Sequence, residues 1–212
     1  MAEKKHIIID NFDAIKKQLT FDDITKYYFI QVVKRSKDNP DMKSYMQVLR
    51  SFYVFTEEDY EHYKPVIKKL CKDNNARACI DFNRLDIDEV KNKAKEILDK
   101  YSSYGHQLNN KKWFRKLQYC FDDSSVIVST SRKENPYLTV DVDEKNKVDE
   151  IYNSIFLKDK AIFTVPTVAG NHVIIRNYKE RMPFFEHFKE VNVSIMDYCY
   201  VFLYCDIVTD AI

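Results

Sequence analysis

Residues 137–176 constrain the fold more than any other stretch. The run Tyr137-Leu-Thr-Val-Asp-Val-Asp143 is apolar until it ends in two acids. A helix-like segment over 146–157 follows, then a second apolar run over 161–165, and after a turn Gly170-Asn-His172 opens a third, Val173-Ile-Ile-Arg176. This order predicts strand, helix, strand, glycine turn, strand. The chain holds only two glycines, Gly105 and Gly170, so the one before His172 is expected to supply backbone angles that other residues resist.

The alternation extends in both directions. Beyond residue 176 a helix around 183–189 and a hairpin-like pair of strands, 191–196 and 199–204, make the second half β-α-β-β-α-β-β in coarse order. The first half predicts strands at 7–9, 27–33, 46–55 and 77–82, with a turn at 36–40. Thr56-Glu-Glu-Asp59 signals a helix start, and Tyr60, Tyr63, Ile67 and Leu70 carry that helix to about residue 73 through Pro65. A second helix begins at Asp86 or Asp88 with the stripe Val90, Ala94, Ile97 and Leu98. Residues 113–121 read as a third helix, 126–128 as a short strand or buried turn, and 129–136 as a loop. The expected class is α/β (α+β), a mixed β-sheet flanked by helices. One domain over 1–212 is expected, with a subdivision into 1–108 and 109–212 and no flexible linker.

Charge narrows the partners. Lys and Arg (34) nearly balance Asp and Glu (33), so any nucleic-acid contact must come from local patches. The five cysteines include no C-x-x-C pair, which disfavours a zinc site or a disulfide framework and favours reduced thiols in a cytoplasmic setting. No apolar run is long enough for a membrane helix, and the one near the N-terminus is too short for a signal peptide. P-loop, dinucleotide-binding and serine-hydrolase motifs do not occur.

Strand alternation puts Asp141 and Asp143 on one face, with Cα atoms about 6.6 Å apart, and Val140 and Val142 on the other. Two carboxylates so close repel each other unless a cation lies between them, and a hard divalent ion suits them. A strand ending in a solvated acidic turn, continued by Glu144 and Asp149, would give the same pattern. In the loop Thr167-Val-Ala-Gly170-Asn171, backbone N–H groups are placed to cradle an anion. His172 and Arg176 share a strand face and could grip a phosphate together.

In this order the motifs resemble those of archaeo-eukaryotic-type primases, including primase-polymerases. Leu138-Thr-Val-Asp-Val-Asp143 is similar to that family's h-h-D-h-D strand end. Pro166-Thr-Val-Ala-Gly-Asn-His-Val-Ile-Ile175 is similar to its S/T-x-x-G-x-H-h-h element. The resemblance covers residues 137–205. It implies an RRM-like C-terminal half, Mg²⁺ or Mn²⁺ held by Asp141 and Asp143, and His172 on the phosphates of a nucleoside triphosphate. It also implies a DNA or RNA strand as partner, and a helicase or other replication protein. The third family motif carries an acid where Val191-Asn-Val-Ser-Ile195 has Asn192, a weaker metal ligand that removes a charge. That departure opposes full polymerase activity. A catalytically degenerate nucleic-acid or protein-binding module, or a metal-dependent nuclease, are the competing readings.

Asn74-Asn-Ala-Arg-Ala-Cys-Ile-Asp-Phe-Asn-Arg84 resembles a segment of phage and mobile-element proteins, which would place the chain in a host cytoplasm. Arg77 and Arg84 could contact template or triphosphate, although for each arginine taken singly an ordinary strand flanked by solvated charges is the simpler reading. Arg132 and Lys133, in the loop before the acidic strand, are placed for a phosphate. Lys111-Lys-Trp-Phe-Arg-Lys116 mixes cations and rings as single-strand binders do, or forms an amphipathic helix.

Overall fold

The computed structural model describes residues 4–103, 115–132 and 135–210. The first of two sheets contains β1 (Lys4–Asp10), β2 (Lys26–Arg35), β3 (Met46–Val54), β4 (Arg77–Asp86) and β9 (Tyr200–Asp210), in the order β1-β9-β4-β2-β3. The second contains β5 (Tyr137–Val142), β6 (Ala161–Pro166), β7 (Asn171–Arg176) and β8 (Val193–Met196), in the order β6-β7-β5-β8. Every neighbouring pair is antiparallel. The single mixed sheet expected from the sequence is thus replaced by two antiparallel sheets flanked by helices.

The hairpin expected over 191–204 does not form. β8 pairs with β5, while β9 crosses into the first sheet and lies between β1 and β4. A division at 108/109 would therefore separate β9 from both of its partners.

One face of the first sheet is covered by α1 (Phe12–Lys16) and α2 (Glu57–Asn74). Phe12, Ile15, Tyr60, Ile67 and Cys71 pack there on Tyr28, Ile30, Val32, Ala78 and Ile80. The start signal at Thr56 is realised as a full capping box: Thr56 accepts from the Asp59 N–H, and the Asp59 carboxylate accepts from the Thr56 N–H. α2 continues through Pro65 and ends at Asn75, whose left-handed backbone closes the helix.

On the opposite face lie α3 (Ile87–Ser103) and α4 (Cys120–Ser131). Val90 and Val128 meet Tyr27, Phe29 and Leu85. Residues 126–131 are thus helical rather than strand and loop. Their β-branched composition favours a strand, but back-bonding hydroxyls fit them to a helix: Ser124 donates to the Cys120 carbonyl, Ser125 to that of Phe121 and Thr130 to that of Val126. The inner face of α4 is unusually polar. Tyr53 donates to Asp122, and the Tyr27 and Ser125 hydroxyls pair at 2.9 Å.

The second sheet buries Leu138, Val140, Val142, Val173 and Ile175 against α5 (Val148–Tyr152) and α6 (Met182–His187). The helix expected over 146–157 is shorter, a 3-10 turn at Lys145–Lys147 and then α5. It stops where the Asn153 amide bonds back to the Asp149 carbonyl at 2.9 Å. The other face of this sheet meets the first one near the start of β9. Val165 and Ile174 join Val201 and Leu203 in one core, Thr139 lies against Cys199, and the Asn11 amide bonds the carbonyls of both Pro166 and Phe202 at 2.9 Å.

Candidate functional site

β5 and β7 are neighbours, and their register places Asp141 directly opposite His172. Both side chains lie on the face turned toward β9. His172 Nε2 stands 3.6 Å from Asp141 Oδ1. The opposite edge of the imidazole is committed, because Nδ1 accepts the Phe202 backbone N–H at 3.2 Å. That bond fixes the tautomer: Nε2 carries the proton and points it at the carboxylate side of the site. Burial pushes the His172 pKa down to about 4, so the ring is neutral at physiological pH.

Asp143 follows the end of β5 and is exposed. Its Oδ2 accepts from Asn192 Nδ2 at 2.7 Å, and its backbone N–H donates to the Asn192 carbonyl at 3.2 Å. The Asn192 N–H in turn reaches Glu144 Oε1 at 3.0 Å. The Asp141 carboxyl is held above its usual range, first by burial and second by the charge of Asp143, while the Arg35 guanidinium pulls the other way. Arg35, at the end of β2, is bonded to the Tyr45 hydroxyl, and only its field reaches this site from the first sheet. No motif linked it to Asp141 across a hundred residues of sequence, because only the tertiary fold joins them.

Asp141, Asp143 and Asn192 offer two carboxylates and one amide oxygen, a donor set that fits a hard divalent ion. Among the described residues no three His, Cys, Asp or Glu side chains form a metal-binding group by themselves. As arranged, the Asn192 NH₂ faces Asp143 as a donor, and acting as a ligand would require the amide to turn.

The loop between β6 and β7 is tight rather than open. Thr167 N–H bonds the Gly170 carbonyl at 2.8 Å, and Gly170 N–H bonds Thr167 Oγ1 at 3.0 Å. These two backbone donors are therefore consumed within the turn and do not cradle an anion. The requirement for glycine also differs from expectation. Gly170 has no positive φ; a Cβ there would lie 1.8 Å from the Val142 carbonyl oxygen and 2.8 Å from Asp143 Cα. Glycine lets the loop press directly on the backbone carrying Asp143. Asn171 pairs with Val142, and strand alternation turns its side chain to the face opposite His172.

The arginines are dispersed. Arg176 is opposite Tyr137, four residues and about 13 Å along the strand from the His172 level, so the two do not grip one phosphate. Arg77 is clamped by Asp38, with Nε 2.6 Å from Oδ2 and a second bond from Nη2 to Oδ1, and both side chains are largely buried. It anchors the β2–β3 turn. Arg84 and Arg132 do meet, in a cleft of about 420 Å³ that also contains Lys26, Phe82 and Tyr137. This cleft lies at the Tyr137 end of β5, away from Asp143. There Arg84 pairs with Asp22 at 2.6 Å, and Arg132 with Glu89 at 2.6 Å. Lys133, and residues 111–114 of the basic aromatic segment, fall outside the described residues. Asp197, the acid nearest Asn192 on the C-terminal side, is engaged by Arg181.

No helix of the described residues is long and apolar enough to cross a membrane. No protein-family model, curated protein or solved structure matches this chain.

Proposed function

We propose that this chain is a divalent-metal-dependent nucleotidyl transferase of the primase-polymerase type, acting on a nucleoside triphosphate and a DNA or RNA strand. The observation that carries the reading is the cross-strand pair of Asp141 and His172, with Asp143 just past the end of β5 and near enough for its charge to act on Asp141. The strand order β6-β7-β5-β8 with helices after β5 and after β7 supports it as well, since that is the connectivity of a split β-α-β unit.

Mg²⁺ or Mn²⁺ would be held by Asp141 and Asp143, with Asn192 as a third oxygen donor once its amide turns. Bound there, the ion supplies charge neutralisation for the triphosphate and a lower pKa for the attacking hydroxyl. The protein's own contribution centres on His172. A neutral ring with its proton fixed on Nε2 donates one hydrogen bond to a phosphate oxygen and cannot give that proton away at neutral pH. Arg35 adds positive charge from the facing sheet.

Replacing both acids, Asp141→Ala with Asp143→Ala, should abolish metal-dependent nucleotide incorporation while leaving the far-UV CD spectrum and melting cooperativity unchanged. A double variant that extends primers as well as the parent ends this reading. One observation favours a second reading, a binding module with an inactive centre: Asn192 replaces the third acid, and its NH₂ already occupies Asp143. Such a module shows no Mn²⁺-dependent triphosphate affinity by calorimetry.

A further inference from the structure

Four buried oxygens without hydrogen-bond partners, among the described residues, occur where the last turn of α4 meets the first sheet. They are Asp81 Oδ2, Ser129 Oγ, Asn135 Oδ1 and Tyr200 OH. Asp81 and Tyr200 are register partners on β4 and β9. Ser129 Oγ lies at the margin of hydrogen-bond reach of both Asp81 and Tyr200, in contacts that lower the pKa of each without making a full bond to either. Asn135 is tied to the same turn, because its amide donates to the Ser129 carbonyl at 3.3 Å. An orphaned buried oxygen costs about 1–3 kcal/mol, so a gathering of them requires a cause.

Asp81 deepens the requirement. It is fully buried, and its Oδ1 accepts the Asn83 N–H at 3.0 Å. No cationic side chain bonds it. The cation whose field it feels, Arg132, is engaged by Glu89 and by the Arg84 carbonyl. Buried carboxylates are paired with a cationic side chain or coordinate a metal ion.

We propose that this cluster of oxygens binds a dehydrated monovalent cation, sodium or potassium, with Asp81 Oδ2 as the charged ligand and Ser129 Oγ and Tyr200 OH as neutral ones. Three features select that ion. The unpaired atoms are all oxygens, which suit hard cations over soft ones. One carboxylate balances one positive charge, whereas a divalent ion would leave uncompensated charge in the interior. Oxygens that share an ion at about 2.4 Å also sit roughly 3.4–4 Å from one another, at the margin of hydrogen-bond reach, as the weak Ser129 contacts to Asp81 and Tyr200 are. The site would brace the polar face of α4 and the first residue of β9. Two residues further along β9, the Phe202 N–H orients His172.

The test is thermal unfolding of the full chain at pH 8, in KCl, NaCl and choline chloride at equal ionic strength, for the parent and Asp81→Asn. A thallium(I)-soaked crystal of the parent accompanies it. At pH 8 a proton no longer competes for Asp81, whose pKa burial raises to about 7. The parent is expected to gain about 4 °C in an alkali salt over choline, saturably. Asp81→Asn is expected to melt at one temperature in all three salts, and the anomalous map to show thallium beside Asp81. Ser129→Ala replaces Asp81→Asn if the latter does not fold, and should lose most of the salt-specific gain. Equal parent melting temperatures in all three salts overturn the proposal and assign the gap to water or a proton. An undiminished gain in the variant, or a map without thallium at Asp81, overturns it too.

Discussion

Burial acts on two side chains of this protein in opposite senses. It lowers the His172 pKa to about 4 and raises that of Asp81 to about 7, so desolvation keeps both neutral over most of the range between. The signs of their linkage are opposite. For His172, the unfolded chain holds more protons than the native one between about pH 4 and 6.5, so its contribution to stability grows as pH rises through that window. For Asp81, the native chain holds the extra proton between about pH 3.8 and 7, so its contribution shrinks over nearly the same window. Each amounts to about 3–4 kcal/mol, and they largely cancel. Urea denaturation from pH 4 to 7.5, in choline buffer, should expose the pair through difference profiles. Asp81→Asn minus parent should rise with pH, and His172→Gln minus parent should fall. Difference profiles that are flat would show that neither group is buried as described. A third residue-scale prediction concerns Gly170. Its Cβ-sized gap to the Val142 carbonyl is closed, so Gly170→Ala should cost about 3 kcal/mol in urea denaturation, and a cost below 1 kcal/mol would contradict the contact. The sequence singled out this glycine correctly but for the wrong cause: its scarcity was visible, whereas a backbone contact with residues 142 and 143 is visible only in three dimensions.

Elements were legible where the local chemistry decided them. The helix start expected at Thr56–Asp59 lies wholly within four residues and formed, closed by a reciprocal capping box. Thr56→Ala should therefore cost about 1 kcal/mol, measured as a shift in the urea midpoint without loss of cooperativity. A neutral result would mean that packing of Tyr60 and Ile67 alone holds the first turn. Elements were illegible where tertiary contacts overrode composition. Val126-Ile-Val128 has strand residues, yet α4 packs as a helix because its hydroxyl groups satisfy both its own backbone and Tyr27 of the sheet. The helix after β5 failed in the other direction, since Asn153 offers its backbone a local bond that ends the helix early. The candidate site was read more fully than its surroundings. The strands that carry Asp141 and His172 were legible, but their placement opposite each other comes from the β5–β7 register, and the engagement of Arg77 with Asp38 depends on a turn closing over β4.

At the scale of the whole molecule, strands were visible and their partners were not. Period-two patterning marks a residue as half-buried in a sheet but does not say which sheet, and β9 is the clearest case. It follows β8 after three residues, so a hairpin is the economical expectation, yet its length decides otherwise. β9 runs for 11 residues, far beyond the four of β8, and its whole extent is taken up by β1 and β4. Its apolar residues depend on the N-terminal half: Val201 and Leu203 lie in the core beneath α1 and α2, which Val165 and Ile174 of the second sheet also join, and Ile207 packs with Ile7 and Ile9. Removing that half would expose all three, on the order of 6 kcal/mol of lost burial, which rivals the entire stability of an ordinary domain. It would also strip the backbone groups of β9 of their ladder. A fragment comprising 109–212 should accordingly give a collapsed amide proton spectrum with no cooperative melt, although it contains every residue of the second sheet. Well-dispersed resonances from that fragment would mean that the second sheet folds without the first, and that the β9 contacts orienting His172 are dispensable.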